Sequence, residues 1–226
     1  MNYITPWWKK WWSYLSPILL ETTSSDYNKH LEVLLVEGRH QLNTEDAIYS
    51  FDDKYENFNQ AFQAIDWARL PDKNVLVLGL GLGSVIYILE NRNKLYFDYT
   101  AVEIDPEVCR LSHKYTTHKL QSSITTINAD AQMYMQINQE KYDLIIMDIF
   151  QSADIPQDFQ SEEFLQQLSD HLQDNGLLMY NRMHLTDRDK LEYEAFLPKF
   201  NKIFSNSSSI DVKQNIIVIN DKSYLL

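Results

Sequence analysis

Short apolar runs alternate with amphipathic segments through the middle of the chain. Strands are predicted at 75–78, 99–103, 123–128 and 142–147, and helices are predicted at 85–90, 106–114 and 131–137. Strands that alternate with crossover helices pair in parallel. The pattern therefore predicts an α/β protein built on a parallel sheet.

The last third of the chain departs from this alternation. A helix at 162–172, a strand at 177–180 and a helix at 191–200 precede two β-runs at 203–205 and 216–220. The two β-runs indicate a hairpin. We therefore predict a doubly wound, mostly parallel sheet that ends in a reversed strand.

The beginning of the chain carries four tryptophans and Leu15 at helical spacing, with two lysines turned away from them, which predicts a short amphipathic helix over 1–16. These residues are Trp7, Trp8, Trp11 and Trp12 with Lys9 and Lys10. Pro17 ends the predicted helix. The indoles suit packing on the protein's own body or on a second subunit, and they also suit contact with a lipid headgroup layer.

Two more elements are predicted before the main domain. Apolar-rich runs at 31–36 and 40–42 flank a short connection that contains Gly38, which predicts a β-hairpin. A helix is predicted over 55–69, closed by Pro71. We expect an N-terminal segment at 1–17, a small β-element at 18–54 and a nucleoside-binding domain at 55–226.

Composition narrows the classes of protein that fit. The net charge of −12 disfavours nucleic acid as a partner, because nucleic-acid sites need clustered lysine and arginine. Cys109 is the single cysteine, and the six histidines show no metal-ligand spacing, so no disulfide or zinc site is expected. No run of about 18 apolar residues predicts a membrane span. We expect a cytoplasmic protein that acts on a small molecule and forms a homodimer through its aromatic surface.

Three of the five glycines follow the first predicted strand of the main domain, at Gly79, Gly81 and Gly83. Glycines at this place let the chain turn sharply and let a ligand approach the backbone. The dinucleotide fingerprint would need a glycine where Ser84 stands. The loop therefore predicts a site for a mononucleoside.

Acidic residues follow the next three predicted strands. Glu103 is placed to accept hydrogen bonds from ribose hydroxyls. Asp130, beside Ala131, either accepts from an adenine amino group or caps the following helix. Asp148 emerges from a fully apolar strand, where a carboxylate is costly to bury, so we expect a ligand-binding or catalytic role for it.

These motifs, in this order, resemble the spermidine synthase family of aminopropyltransferases, which have the class I methyltransferase-like fold with a seven-stranded sheet. The resemblance runs from about residue 31 to residue 183, through motifs at 36–41, 77–84, 102–108, 128–131 and 142–148. It implies that Gln41, Glu103 and Asp130 contact the nucleoside. It also implies that Asp148 orients and deprotonates the attacking amine.

The chain departs from the family's pattern at several acidic positions. Leu82 and Gln151 stand where the family has aspartates, and the segment 49–51 lacks the family's acid. Fewer carboxylates would weaken binding of a polycationic polyamine. Three functions therefore stay open: aminopropyl transfer from decarboxylated S-adenosylmethionine, methyl transfer from S-adenosylmethionine, and adenosyl-nucleoside binding without catalysis. Leu82 favours the intact donor, because an aspartate there would repel the donor's carboxylate.

Overall fold

The computed structural model describes residues 2–45, 47–151 and 154–226 as two sheets with helices around the larger one. The small antiparallel sheet contains β1 (Ile18–Thr23), β2 (Leu31–Val36), β3 (Arg39–Asn43) and β4 (Ile48–Phe51). The large sheet contains β5 (Asn74–Leu78), β6 (Asp98–Glu103), β7 (Ser123–Asn128), β8 (Tyr142–Met147), β9 (Leu172–Met183), β10 (Ser208–Val212) and β11 (Asn215–Ile219). The helices are α1 (Trp7–Trp12), α2 (Glu56–Gln63), α3 (Ser84–Asn91), α4 (Pro106–Tyr115), α5 (Ala131–Ile137), α6 (Glu162–Asp170) and α7 (Asp187–Ile203).

The large sheet has the strand order β10-β11-β9-β8-β5-β6-β7. The strands from β9 to β7 pair in parallel, and β11 pairs antiparallel with both β9 and β10. β8 lies in the middle and is buried along its whole length, as expected for a strand covered on both faces. The predicted fold class, a seven-stranded and mostly parallel sheet, is confirmed.

The beginning of the chain differs from its prediction in two ways. The predicted hairpin is β2 and β3, but β1 and β4 extend it to four strands. The helix predicted over 1–16 is shorter, since α1 covers only Trp7–Trp12 and Met1 lies outside the described residues. Ser13 ends α1 because its side chain donates back to the Lys10 carbonyl and accepts from the backbone N–H of Gly38. The division of the chain at residues 17 and 54 stays a prediction.

Two further predicted helices are shorter in the structure. The segment 55–69 divides into α2 and a 3₁₀ turn at Trp67–Arg69, because Asp66 accepts from Ala68 N and starts the turn separately. The helix predicted at 162–172 ends at Asp170, and β9 begins directly at Leu172. β9 is therefore much longer than the run 177–180.

The β-run predicted at 203–205 is wrong. Ile203 is the last residue of α7, and the outer strand of the hairpin is β10 instead. Phe196, Phe200 and Phe204 recur at four-residue spacing and are all buried, so helical packing outweighs the β propensity of this short run.

Hydrophobic packing positions the two sheets relative to each other. One buried cluster lies on each face of the large sheet, and a third connects the small sheet to α4. Leu82, from the loop after β5, is fully buried in this third cluster beside Leu31, Leu42 and Leu111. The small sheet is thereby held over the glycine-containing loop. Across the described ranges, no helix is long and apolar enough to cross a membrane.

Candidate active site

A cavity of about 1020 Å³ lies at the carboxyl ends of β5, β6 and β8. The small sheet contributes to its wall through Ile48–Phe51 of β4. Six of the residues selected from the sequence line the cavity: Gly79, Gly81, Glu103, Asp130, Ala131 and Asp148. They converge because the carboxyl ends of parallel strands share one edge of the sheet.

Gly79 and Gly81 shape the loop that follows β5. Gly79 has φ +89°, and a side chain there would collide with the backbone carbonyl oxygen of Asp148. Gly81 has φ +53°, and an added Cβ would lie 3.3 Å from the Ser50 Cβ in the small sheet. Both positions therefore need glycine, Gly79 for the close approach of the loop to Asp148. Gly83 is the N-cap of α3, with φ +91°, and does not line the cavity.

The Glu103 carboxylate lies between the loop and the next strand end. Its Oε2 accepts from the backbone N–H groups of Leu80 at 3.1 Å and Gly81 at 3.3 Å, and its Oε1 accepts from Asp105 N at 3.1 Å. Burial raises the pKa of Glu103, and these three N–H donors oppose that effect. Glu103 therefore orders the loop in addition to facing the cavity.

Asp130 serves as the N-cap of α5, because its Oδ1 accepts from Met133 N at 3.0 Å. The capping role weighed from the sequence is thus real. The residue also lines the cavity together with Ala131, so capping and ligand contact are compatible at this position.

Gln41 is placed differently from the other predicted residues. It lies in β3, its Nε2 donates to Asn43 Oδ1 at 2.6 Å, and it does not line the cavity. A role for Gln41 in ligand binding stays a prediction.

Asp148 carries the most distinctive geometry of the site. Its Oδ1 accepts from Asn181 Nδ2 at 2.8 Å and from the Tyr55 hydroxyl at 3.2 Å. Its Oδ2 has no hydrogen-bond partner among the residues that the structure describes. Burial raises the pKa of Asp148 to about 7, although both hydrogen bonds lower it. One carboxylate oxygen is thus held by the protein and the other is available to a ligand in the cavity.

Asn215 extends this network from the terminal hairpin. Its Nδ2 donates to Asn181 Oδ1 at 3.0 Å, which leaves the Asn181 amide group to donate to Asp148. Asn181 is fully buried, whereas Asn215 lines the cavity.

Sequence reasoning missed Tyr55, Asn181 and Asn215. A signal existed for Asn181, which follows the predicted strand at 177–180 as Asp148 follows 142–147. Tyr55 and Asn215 offered no comparable signal, because they reach the site from outside the parallel strands.

The expectation that Leu82 favours the intact donor does not follow from the structure. That side chain is in the core and does not line the cavity, so it gives no reason to choose between the two donors. Gln151 does line the cavity.

Among the described residues that line the cavity, acids outnumber bases. The acids are Glu56, Glu103, Asp105, Asp130, Asp148 and Asp158, and the bases are Lys54 and Lys213. This balance favours a cationic ligand.

A family model for the spermine/spermidine synthase domain matches residues 67–208, which is more than half of the chain. The chain belongs to the spermine/spermidine synthase family. Asp148, Glu103 and the glycine loop all fall within the matched region. In the described part of the chain, no three or more His, Cys, Asp or Glu side chains are grouped as metal ligands would be.

The chain spans less than a third of the length of each of two curated relatives. The chain is 27% identical over 140 residues to a probable polyamine aminopropyl transferase of Bifidobacterium longum, across 61% of this chain and 30% of that protein. It is 33% identical over 115 residues to an N-terminal histidine N-methyltransferase of Emericella nidulans, across 48% of this chain and 19% of that protein. The structure of human methyltransferase-like protein 13 in complex with SAH superposes with a TM-score of 0.60 at 20% identity, covering 75% of this chain and 85% of that one. This last likeness concerns the fold.

Proposed function

We propose that the cavity binds S-adenosylmethionine or its decarboxylated form, and that the protein transfers a sulfonium-linked methyl or aminopropyl group to an amine nitrogen. The observation that carries the proposal is Asp148. Its carboxyl group has a pKa of about 7, its Oδ2 has no partner among the described residues, and it lies on the same sheet edge as Glu103 and the glycine loop. A base with a pKa near neutrality suits proton transfer from an amine.

The residues around the cavity fit a donor of this kind. The volume of about 1020 Å³ is ample for a nucleoside and a second small substrate. Glu103 has one oxygen with a single N–H partner, which leaves acceptor capacity for a ribose hydroxyl. The acidic lining complements a positively charged sulfonium. When bound, the donor supplies a carbon whose bond to sulfur breaks as the new bond to nitrogen forms, and the electron pair stays on sulfur.

The protein's own contribution is to place and deprotonate the acceptor. Asp148 Oδ2 accepts the proton that the amine nitrogen loses, while Asn181 and Tyr55 hold Oδ1 in position. Burial and the nearby Asp148 charge raise the pKa of Tyr55, so its hydroxyl stays a hydrogen-bond donor.

Two relatives support nitrogen as the acceptor atom, because one is named a probable polyamine aminopropyl transferase and the other an N-terminal histidine N-methyltransferase. Binding without catalysis is less favoured, since it gives no reason to bury a carboxylate with one oxygen free. We further propose a homodimer, for which the outer strand β1 of the small sheet offers a pairing edge.

The test is calorimetric titration with both donors and methylthioadenosine, followed by a transfer assay against a panel of amines with products detected by mass. The Asp148→Asn variant should bind the donor and lose transfer. The control variant is Asp158→Asn, which removes a carboxylate at the exposed part of the same cavity and should keep transfer. Failure of the parent to bind any of the three nucleosides would overturn the proposal. Binding without transfer to any amine would favour the non-catalytic alternative.

A further inference from the structure

The segment Ile4–Leu15 presents an apolar and basic surface, which we name the Trp–Lys patch. α1 has no buried residue, and its four indoles are exposed: Trp7 82%, Trp8 49%, Trp11 62% and Trp12 54%. Ile4 and Leu15 extend the patch and are also largely exposed. The described part of the chain therefore leaves these side chains largely uncovered, which argues against the protein's own body as their packing partner.

The backbone below the patch is nevertheless well anchored. The Ser13 carbonyl accepts from Glu37 N at 2.9 Å, and Ser13 Oγ accepts from Gly38 N at 2.8 Å. On the other side of α1, Tyr3 N donates to the Lys114 carbonyl at 2.9 Å. The indoles are thus displayed on a fixed support, so little conformational entropy is lost when they bind a surface.

Charge distinguishes the remaining partners. The first twenty residues contain Lys9 and Lys10 and no acid, although the whole chain has a net charge of −12. A two-fold dimer built on the patch would place these lysines against their own copies, because such an interface uses the same surface twice. An anionic surface instead complements the patch and repels the rest of the protein, which orients the molecule.

We propose that the Trp–Lys patch docks the protein on the headgroup layer of an anionic lipid bilayer. Indoles are suited to this layer because their rings are apolar and their N–H groups still reach water or phosphate. Lys9 lies 5.7 Å from the centroid of the Trp8 ring, so this cation lies beside one of the exposed indoles. This docking does not depend on the reaction proposed for the cavity.

Vesicle binding tests the proposal through the tryptophans themselves. Four of the five tryptophans lie in α1, so their emission should shift to the blue when vesicles of phosphatidylcholine and phosphatidylglycerol are added to the protein. Vesicles of phosphatidylcholine alone should bind far more weakly. Replacing both lysines by glutamine should weaken binding to the anionic vesicles about 25-fold, from about fivefold for each lysine.

Matched variants distinguish binding through the Trp–Lys patch from nonspecific binding through any exposed apolar side chain. Trp7→Ala with Trp11→Ala should weaken vesicle flotation about tenfold or more, whereas Ile137→Ala, which removes an equally exposed apolar side chain in α5, should leave it unchanged. All these side chains are exposed, so circular dichroism should show an unchanged fold. The proposal is overturned if the parent does not bind anionic vesicles. It is also overturned if binding is equally strong on anionic and neutral vesicles and is unchanged when both lysines are replaced. It is also overturned if the vesicle-free protein is a dimer that the double tryptophan variant converts to a monomer.

Discussion

Replacement of Asp148 by asparagine should remove transfer and at the same time stabilise the fold. The change keeps an acceptor oxygen for Asn181 and Tyr55 at the Oδ1 position, so the local geometry is retained. It removes the group that takes the proton, which should slow transfer about a hundredfold to ten-thousandfold. Donor affinity should change only slightly.

The stability gain follows from the sign of the pKa shift. Burial raises the pKa of Asp148 from its ordinary value of 3.8 to about 7, so the folded protein holds this proton more tightly than the unfolded chain. The cost of the charge is absent below pH 4, grows between pH 4 and pH 7, and is complete above pH 7. At about 1.4 kcal/mol per pH unit it amounts to about 4 kcal/mol, which access of cavity water reduces to about 2 kcal/mol.

Denaturant unfolding of the parent and the D148N variant at pH 8 and at pH 4 measures this difference. We expect the variant to be more stable by about 2 kcal/mol at pH 8 and equal to the parent at pH 4. The transfer rate of the parent should fall as the pH decreases through about 7. A variant that is less stable than the parent at pH 8 would refute the claim that the buried charge is costly, and with it the reasoning that makes Asp148 a base.

Four other variants at three positions, and one measurement, test the remaining structure. Asn215→Ala should move the acidic limb of the rate profile to higher pH, because Asn181 loses the bond that orients its amide toward Asp148. An unmoved limb would make Asn215 merely structural. Glu103→Ala should weaken donor binding and also cost about 1–3 kcal/mol of stability, since it leaves loop N–H groups without an acceptor, whereas Glu103→Gln should cost less. Gly81→Val should abolish donor binding, which calorimetry would contradict if affinity were retained. Light scattering should show a dimer, and a monomer at tens of micromolar would count against the β1 edge.

The strands and helices of the main domain could be predicted because the apolar pattern of each segment agrees with its burial in the fold. The strands at 123–128 and 142–147 and the helix at 131–137 occur at the predicted residues, since their apolar runs are bounded by strong caps such as Asp130. Where two signals competed, prediction was wrong. The run 203–205 has strand-forming residues, but Phe204, directly after α7, is buried at the same four-residue spacing as Phe196 and Phe200, and this burial decides its packing.

Within the site, the sequence determined which residues follow the strands, and chain direction alone brings those residues to one edge. The glycine loop, Glu103, Asp130 and Asp148 belong to this class. Leu82 shows the limit of such reasoning, because its position between two glycines placed it in the loop without revealing that its side chain points into the core.

Tertiary structure alone decided how Asp148 is surrounded. Tyr55 comes from the segment before α2, Asn181 from β9 and Asn215 from the terminal hairpin, and these segments are far apart along the chain. Hydrogen bonds to a side chain depend on distances of about 3 Å and on orientation, which periodicity does not encode. The same holds for the four indoles of α1. The sequence gives their spacing, but their exposure follows from how the other described residues are arranged around α1, which spacing does not encode.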